Sequence, residues 1–296
     1  MIVKNQTQLT EAVITVMQRT EDPRLRELMT ALVKHLHAFI KEVKLTEKEF
    51  QLAVEKIIAM GQQSNDAHNE VVLMAGSLGV SQLVCLMNNT DDLEDETTAN
   101  LLGPFWRMGS PPTENGGSLV RSPTPGPAMF VHGLVRDQNG GAVAGARVDI
   151  WHSAPTGLYE QQDPNQAEMN LRGTFTTDAD GRFWFRSIKP AGYPIPTDGV
   201  TGELLIAQKR QNYRPAHLHV LIQKQGFKTQ VTQVYVNDDP LLDKDPQFGV
   251  TEKLIGNYVE HSEPGPEPDV KAPWYSLDYE FVLRPGESSL PRPPIR

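Results

Sequence analysis

Across residues 8–87 the apolar positions return at the three- and four-residue spacing of a helix, and a single proline interrupts them, which predicts a helical N-terminal segment. Asp22-Pro23 offers an N-cap followed by proline at the first helical position. Leu25, Leu28, Leu32, Leu36, Phe39 and Ile40 then line one face of a long helix. Thr46, with Glu49 three residues later, is a capping box that opens the next helix. Phe50, Val54, Ile57 and Ile58 form its stripe, and Gly61 is its expected end. A third helix over residues 70–87 is apolar around most of its circumference, which predicts burial against the rest of the protein or a second subunit.

The period changes after the acidic run at residues 91–96. Of the 23 prolines only Pro23 precedes Pro104, and from there on proline and glycine punctuate short apolar runs, the pattern of an all-β domain. Residues 130–135 and 146–151 flank the glycine-rich 137–141 as two strands flank a turn. Residues 174–177 and 182–185, around a turn at 178–181, repeat that arrangement. Residues 217–222 and 229–236 are a further expected pair, joined near Gly226, and the proline-rich tail from Glu263 is expected to wrap the surface as an extended segment. The expected class is α+β: a helical domain over residues 1–100, then an all-β sandwich over 101–296 with the extended tail.

With 296 residues, 39% of them apolar, the chain has material for a substantial core. A net charge of −9 provides no basic footprint for nucleic acid or an anionic membrane surface. Cys85 is the only cysteine, which excludes an internal disulfide, CxxC chemistry and zinc fingers and fits a reducing compartment. The opening MIVKNQTQLTEAV lacks the basic start and apolar core of a signal peptide, and no apolar run approaches the ~20 residues of a membrane span, so the expected location is the cytoplasm.

Candidate chemistry centres on Arg214-Pro215-Ala216-His217-Leu218-His219. In a strand, alternate side chains share a face, so His217, His219 and Leu221 project to one side and Leu218, Val220 and Ile222 to the other. By itself this is as readily two histidines on a solvated strand as half a metal site. His35 and His37 stand in a helix, where a two-residue step points them apart, and His68, His132, His152 and His261 are isolated. Tyr159 and Tyr193 sit in stiffened settings, Gly157-Leu158-Tyr159 and Gly192-Tyr193-Pro194-Ile195-Pro196, though each alone reads as a core or rim tyrosine. A zinc hydrolase completed by a carboxylate also fits the histidine pair.

An ordered set of motifs resembles the intradiol ring-cleavage dioxygenases of the catechol type over nearly the whole chain. It comprises Leu102-Gly103-Pro104-Phe105, residues 145–152 with Gly157-Leu158-Tyr159, Leu171-Arg172-Gly173, residues 177–183, residues 193–199 and residues 214–219. The resemblance implies an Fe(III) held by Tyr159, Tyr193, His217 and His219, with a small aromatic diol or triol and O2 as substrates. It also implies that Tyr193 departs from the metal and serves as base, that Arg214 stabilises charge on the ring, and that Gln233 lies beside the iron. Leu73, Gly76, Leu101, Leu102, Gly103, Pro104, Ile195, Pro196, Arg214 and Val250 are the implied substrate contacts. A homodimer through the helical domain is implied as well, with a lipid-like ligand at that interface in some relatives.

Residues 193–199 and Phe248-Gly249-Val250 look most like the hydroxyquinol (1,2,4-trihydroxybenzene) branch, whose product is maleylacetate. Catechol or chlorocatechol, giving the corresponding muconate, is the alternative. Gly76 stands where that branch suggests an acidic residue and is expected to leave space for a ring substituent; Asn100 replaces an expected threonine. A non-catalytic carrier or adhesion β-sandwich shares the strand pattern but has no use for the two tyrosines and two histidines in register.

Overall fold

The computed structural model describes residues 2–65, 68–89 and 96–293. Its contacts divide into two compact units, Met1–Ala59 and Met60–Arg296. Residues 91–95 of the acidic run lie outside the described residues.

The first unit holds α1 (Gln6–Met17), α2 (Pro23–Val43) and most of α3 (Glu47–Gln63). The Asp22 carboxylate accepts from the backbone N–H of Arg24 and Leu25, and Pro23 occupies the first turn as expected. α1 and α2 bury Ala12 and Val33, and Thr10 Oγ1 lies 3.0 Å from His37 Nδ1. Leu25, Leu28, Leu32, Leu36 and Phe39 therefore form the outer face of α2, each about half exposed. The capping box closes as the spacing requires: Glu49 Oε2 accepts from Thr46 N at 2.9 Å and Thr46 Oγ1 from Glu49 N at 3.3 Å. Gly61 does not end α3, which runs to Gln63. An interior glycine costs a helix only about 1 kcal/mol, too little to stop a stretch that other residues favour.

The expected third helix is two, α4 (Glu70–Ser77) and α5 (Val80–Asn89), bent by 76° at a break where Gly79 takes φ +72°. Its expected burial within the chain is not met, because Leu78, Leu83 and Met87 are 56%, 60% and 74% exposed. Among the described residues no single helix is long and apolar enough to cross a membrane.

The β-rich part contains β1 (Ala128–Asp137), β2 (Arg147–Trp151), β3 (Arg172–Thr176), β4 (Arg182–Ile188), β5 (Tyr193–Pro194), α6 (Val200–Ala207), β6 (Tyr213–Arg214), β7 (His217–Gln223), β8 (Gln230–Val236), β9 (Ile255–Gly256), β10 (Val259–His261) and β11 (Trp274–Leu283). One sheet runs β10-β11-β1-β4, a second runs β3-β2-β7-β8-β9, and β5 pairs with β6 as a short ribbon. Met129 and Val131 of β1, Phe183 and Phe185 of β4, Val148 and Ile150 of β2, and Leu218, Val220 and Ile222 of β7 meet in one core between the sheets. With six helices in addition to this sandwich among the described residues, the chain is α+β.

Two expected hairpins are corrected. β1 pairs with β4 and β11, and β2 with β3 and β7, so the turns at 137–141 and 178–181 carry the chain from one sheet to the other. Alternation shows that one face is buried, and a strand of either sheet buries its inward face in the same core. The tail is corrected too: β11 is an interior strand parallel to β1, with Leu277, Phe281 and Leu283 almost fully buried.

Candidate functional site

Inward residues of the five-stranded sheet build the core; the opposite parity faces the loops. On that outer face the register places Arg172, Trp151, His219 and Gln233 in one row across β3, β2, β7 and β8. His217 and Tyr235 are paired in the same way. The loops covering this face bring Tyr159, the β5 ribbon with Tyr193, and the segment Leu101-Leu102-Gly103 against it.

The four residues proposed as ligands from the sequence converge. The rings of Tyr159 and Tyr193 are 5.5 Å apart, Tyr193 and His217 5.5 Å, His217 and His219 4.7 Å, and Tyr159 and His219 6.4 Å. All four are almost fully buried. His217 Nδ1 donates to Pro215 O at 2.7 Å, which leaves its Nε2 lone pair facing His219 Nε2, 3.1 Å away. Two imidazoles bonded to one first-row metal at about 2.0–2.1 Å can stand this close. Tyr159 Oη and His219 Nδ1 are buried without a hydrogen-bond partner, an arrangement that costs free energy unless another group meets them.

Burial, then the neighbouring Arg214 charge, drives His217 down to about 3 against the pull of the Pro215 carbonyl. His219 is also held well below its ordinary value, by burial and then by His217 and Arg214. Tyr159 is held well above the usual phenol range, first by burial and then by Tyr193. At neutral pH the protein alone therefore presents neutral imidazoles, the ligating form, and a phenol that a bound cation would ionise. Among the described residues no group of three or more His, Cys, Asp or Glu could hold a metal. The nearby carboxylates are engaged: Glu160 takes Arg172 Nε at 2.7 Å, and Asp245 grips Arg214 in a fork at 3.1 and 3.0 Å. The donor set is thus phenol and imidazole, which does not suit the carboxylate-completed zinc site.

Arg214 is 3% exposed. Besides Asp245, its Nη2 donates to Gln233 Oε1 at 2.9 Å and Tyr235 Oη at 2.7 Å, while Nη1 makes none of these bonds. Gln233 stands opposite His219 and its Nε2 donates to Leu101 O at 2.8 Å, so its amide ties the pocket loop to Arg214. Asn100 is explained as well, since its Nδ2 donates to Gly249 O at 2.7 Å, locking the Gly249 turn onto the same network.

Of the other implied contacts, Leu102 packs on the cluster of Trp151, Tyr159 and Tyr193. Gly103 abuts His219. Ile195 is buried, Leu73 and Val250 are half-buried, and Pro104 and Pro196 are exposed. Gly76 needs correction: it opens no space, because a Cβ there would overlap the side-chain oxygen of Gln247, whose Nε2 donates to Ser77 Oγ at 2.9 Å. Asp245, Tyr235, Arg172 and Glu160 were not identified from the sequence as parts of this network. For Trp151, Arg172 and Tyr235 strand parity was an available signal; for Asp245, 31 residues from Arg214, no local signal exists.

Gly103 combines φ +73° with an approach so close that a Cβ would lie 2.9 Å from His219 Cε1. Gly103→Ala is expected to lower stability by about 1–3 kcal/mol through this overlap. Urea unfolding of the metal-free protein measures it, and an unchanged midpoint would contradict this packing.

A concavity of about 560 Å3 on the outer face of the four-stranded sheet, lined by residues including His132, Arg182, Trp184 and Tyr279, gathers no comparable donor set.

Residues 102–285 match the family model described as dioxygenase, and residues 22–96 that described as catechol dioxygenase N terminus. The chain is 39% identical to hydroxyquinol 1,2-dioxygenase of Rhizobium sp. (strain MTP-10005) over 277 residues, 92% of this chain and 93% of that protein. It is 38% identical to 6-chlorohydroxyquinol 1,2-dioxygenase of Cupriavidus pinatubonensis, over 95% of this chain and 98% of that protein. The crystal structure of hydroxyquinol 1,2-dioxygenase from Pseudomonas putida DLL-E4 superposes with a TM-score of 0.88 at 36% identity, over 95% of this chain and 99% of that one.

Proposed function

This chain belongs to the intradiol ring-cleavage dioxygenase family of non-haem iron enzymes, and from that premise we propose that it opens hydroxyquinol between its two adjacent hydroxylated carbons. Both atoms of O2 are retained, and the product is maleylacetate. Tyr159, Tyr193, His217 and His219 hold the metal. The observation that carries this assignment is the convergence of four buried phenol and imidazole side chains in which Tyr159 Oη lacks any hydrogen-bond partner. Hydroxyquinol as substrate is supported by the named activities of the relatives above.

When bound, Fe(III) supplies the Lewis acidity that ionises the phenols and the covalency with a deprotonated diol that makes the ring reactive toward O2. Tyr193 takes a proton from a substrate hydroxyl. Its segment is held by a ribbon two residues long, whereas Tyr159 is stacked on Phe105 at 4.3 Å and followed by a 3-10 turn whose Gln162 side chain accepts from its N–H. Tyr193 is therefore the tyrosine suited to move. Arg214 directs its remaining N–H groups at charge developing on the ring, in a buried setting where a cation acts strongly. Gln233 fixes both Arg214 and the Leu101 wall, and the apolar Leu102 and Ile195 exclude water. A second copy of the chain covers the half-exposed leucine stripe of α2.

The test is iron analysis and visible absorption of natively purified protein, followed by O2-uptake assays with hydroxyquinol, catechol and 4-chlorocatechol. One iron per chain, a wine-red colour and fastest consumption of hydroxyquinol are expected. Colourless, iron-free active protein would end the metal assignment; faster conversion of catechol to muconate would end the substrate assignment.

A further inference from the structure

We infer that Trp151 is a positioning residue for His219, fixing the plane of that imidazole by stacking where no hydrogen bond to its Nδ1 does so. The inference rests on the four-residue metal site proposed above and assigns to it a residue outside the ligand set.

The two histidines are held differently. His217 is anchored through Nδ1 to the Pro215 carbonyl, the usual way in which a metal-binding imidazole has its ring oriented. The Nδ1 of His219 is buried and has no partner. What bounds this ring is the indole of Trp151, 4.7 Å away and within 6° of parallel, and the Gly103 backbone against the Cε1 edge. The stack follows from the fold, because Trp151 and His219 are directly paired on adjacent strands with side chains on the same face.

A second observation indicates that Trp151 serves through its ring face. Its Nε1–H is also buried without an acceptor, so the polar end of the indole satisfies nothing, although a buried tryptophan usually finds a partner for it. A large flat surface is what this position supplies. His219 thus has no bond at Nδ1 that would compete with a metal for its orientation, its Nε2 faces the other proposed ligand histidine at 3.1 Å, and its plane is set before the metal arrives.

The experiment compares Trp151→Phe, which keeps an aromatic face, with Trp151→Leu, which keeps apolar volume without one. In metal-free protein, NMR of labelled histidine is expected to show the His219 ring protons shifted upfield by the indole as a single sharp set. That signature persists in the phenylalanine variant and collapses or broadens in the leucine variant. In iron-loaded protein, release to a chelator is expected to be at least about tenfold faster for Trp151→Leu and close to wild type for Trp151→Phe. Equal release from Trp151→Leu and wild type would overturn the inference. Equal acceleration in both variants, with equally lowered melting temperatures, would reduce Trp151 to core packing and also overturn it. Wild-type protein that binds no iron would instead refute the metal site, while the histidine spectra would still report whether the indole holds the ring.

Discussion

Replacing Tyr193 by phenylalanine is expected to reduce ring cleavage by at least about a hundredfold, the scale on which a positioned base contributes, while leaving the fold in place. The ring of Tyr193 packs against Phe105, Tyr159 and His217 at centroid distances of 6.0, 5.5 and 5.5 Å, and phenylalanine retains all of these contacts. Only the hydroxyl is lost, and with it, on the proposed assignment, one metal ligand and the base. Bound iron should fall and the visible absorption should shift, since one of two tyrosinates is removed. His35→Ala, at an exposed position of α2, is the control and should change neither. Steady-state O2 uptake, iron content and the visible spectrum of the two variants measure the contrast. Equal turnover in both would overturn the role given to Tyr193.

The second large effect concerns stability. Asp245→Ala is expected to destabilise the protein by about 3–5 kcal/mol, because it leaves the buried Arg214 guanidinium without its counter-charge. Asp245 accepts from Arg214 Nε and Nη2 and from the backbone N–H of Gln247 and Gly249, so the loss also strands two amides. Urea unfolding at neutral pH should show a lower midpoint with an unchanged slope. Acid dependence supplies an independent reading. Burial raises the Asp245 carboxyl, but Arg214 and the hydrogen bonds outweigh it and hold the group below the usual aspartate range. A depressed value in the fold means that this contribution is fully present above the ordinary range near pH ~4 and is lost as the pH falls through the lower folded value. Wild type should weaken on acidification below pH ~4, and Asp245→Ala should show a shallower decline there. Parallel acid profiles would show that the pair contributes nothing in that window.

The Arg214–Asp245 pair also marks where the sequence stops being legible. Arg214 stands out through its place before Pro215 and His217, whereas nothing in the sequence around Asp245 sets it apart; only the fold carries residues 245–249 onto Tyr235 and Arg214. Gly76 shows the same limit in the other direction. A missing side chain suggests room, and a distant glutamine had taken that room.

Spacing along the chain was enough to determine the helical first segment with its Asp22-Pro23 and Thr46-Glu49 starts, the change to β structure beyond Pro104, and the shared face of His217 and His219. These are local properties, set by the 3.6-residue and 2-residue periods and by caps that bond within three residues. Only the tertiary structure decided that β1 and β2 belong to different sheets, that residues 274–283 form an interior strand, and that the face bearing the histidines is roofed by loops. It also decided that Trp151 stacks on His219 and that Asp245 neutralises Arg214. An alternating strand can bury its apolar side in either sheet. Which partner it takes, and which loop covers its other side, depends on burying surface between residues tens to hundreds of positions apart, for which neighbouring residues carry no signal.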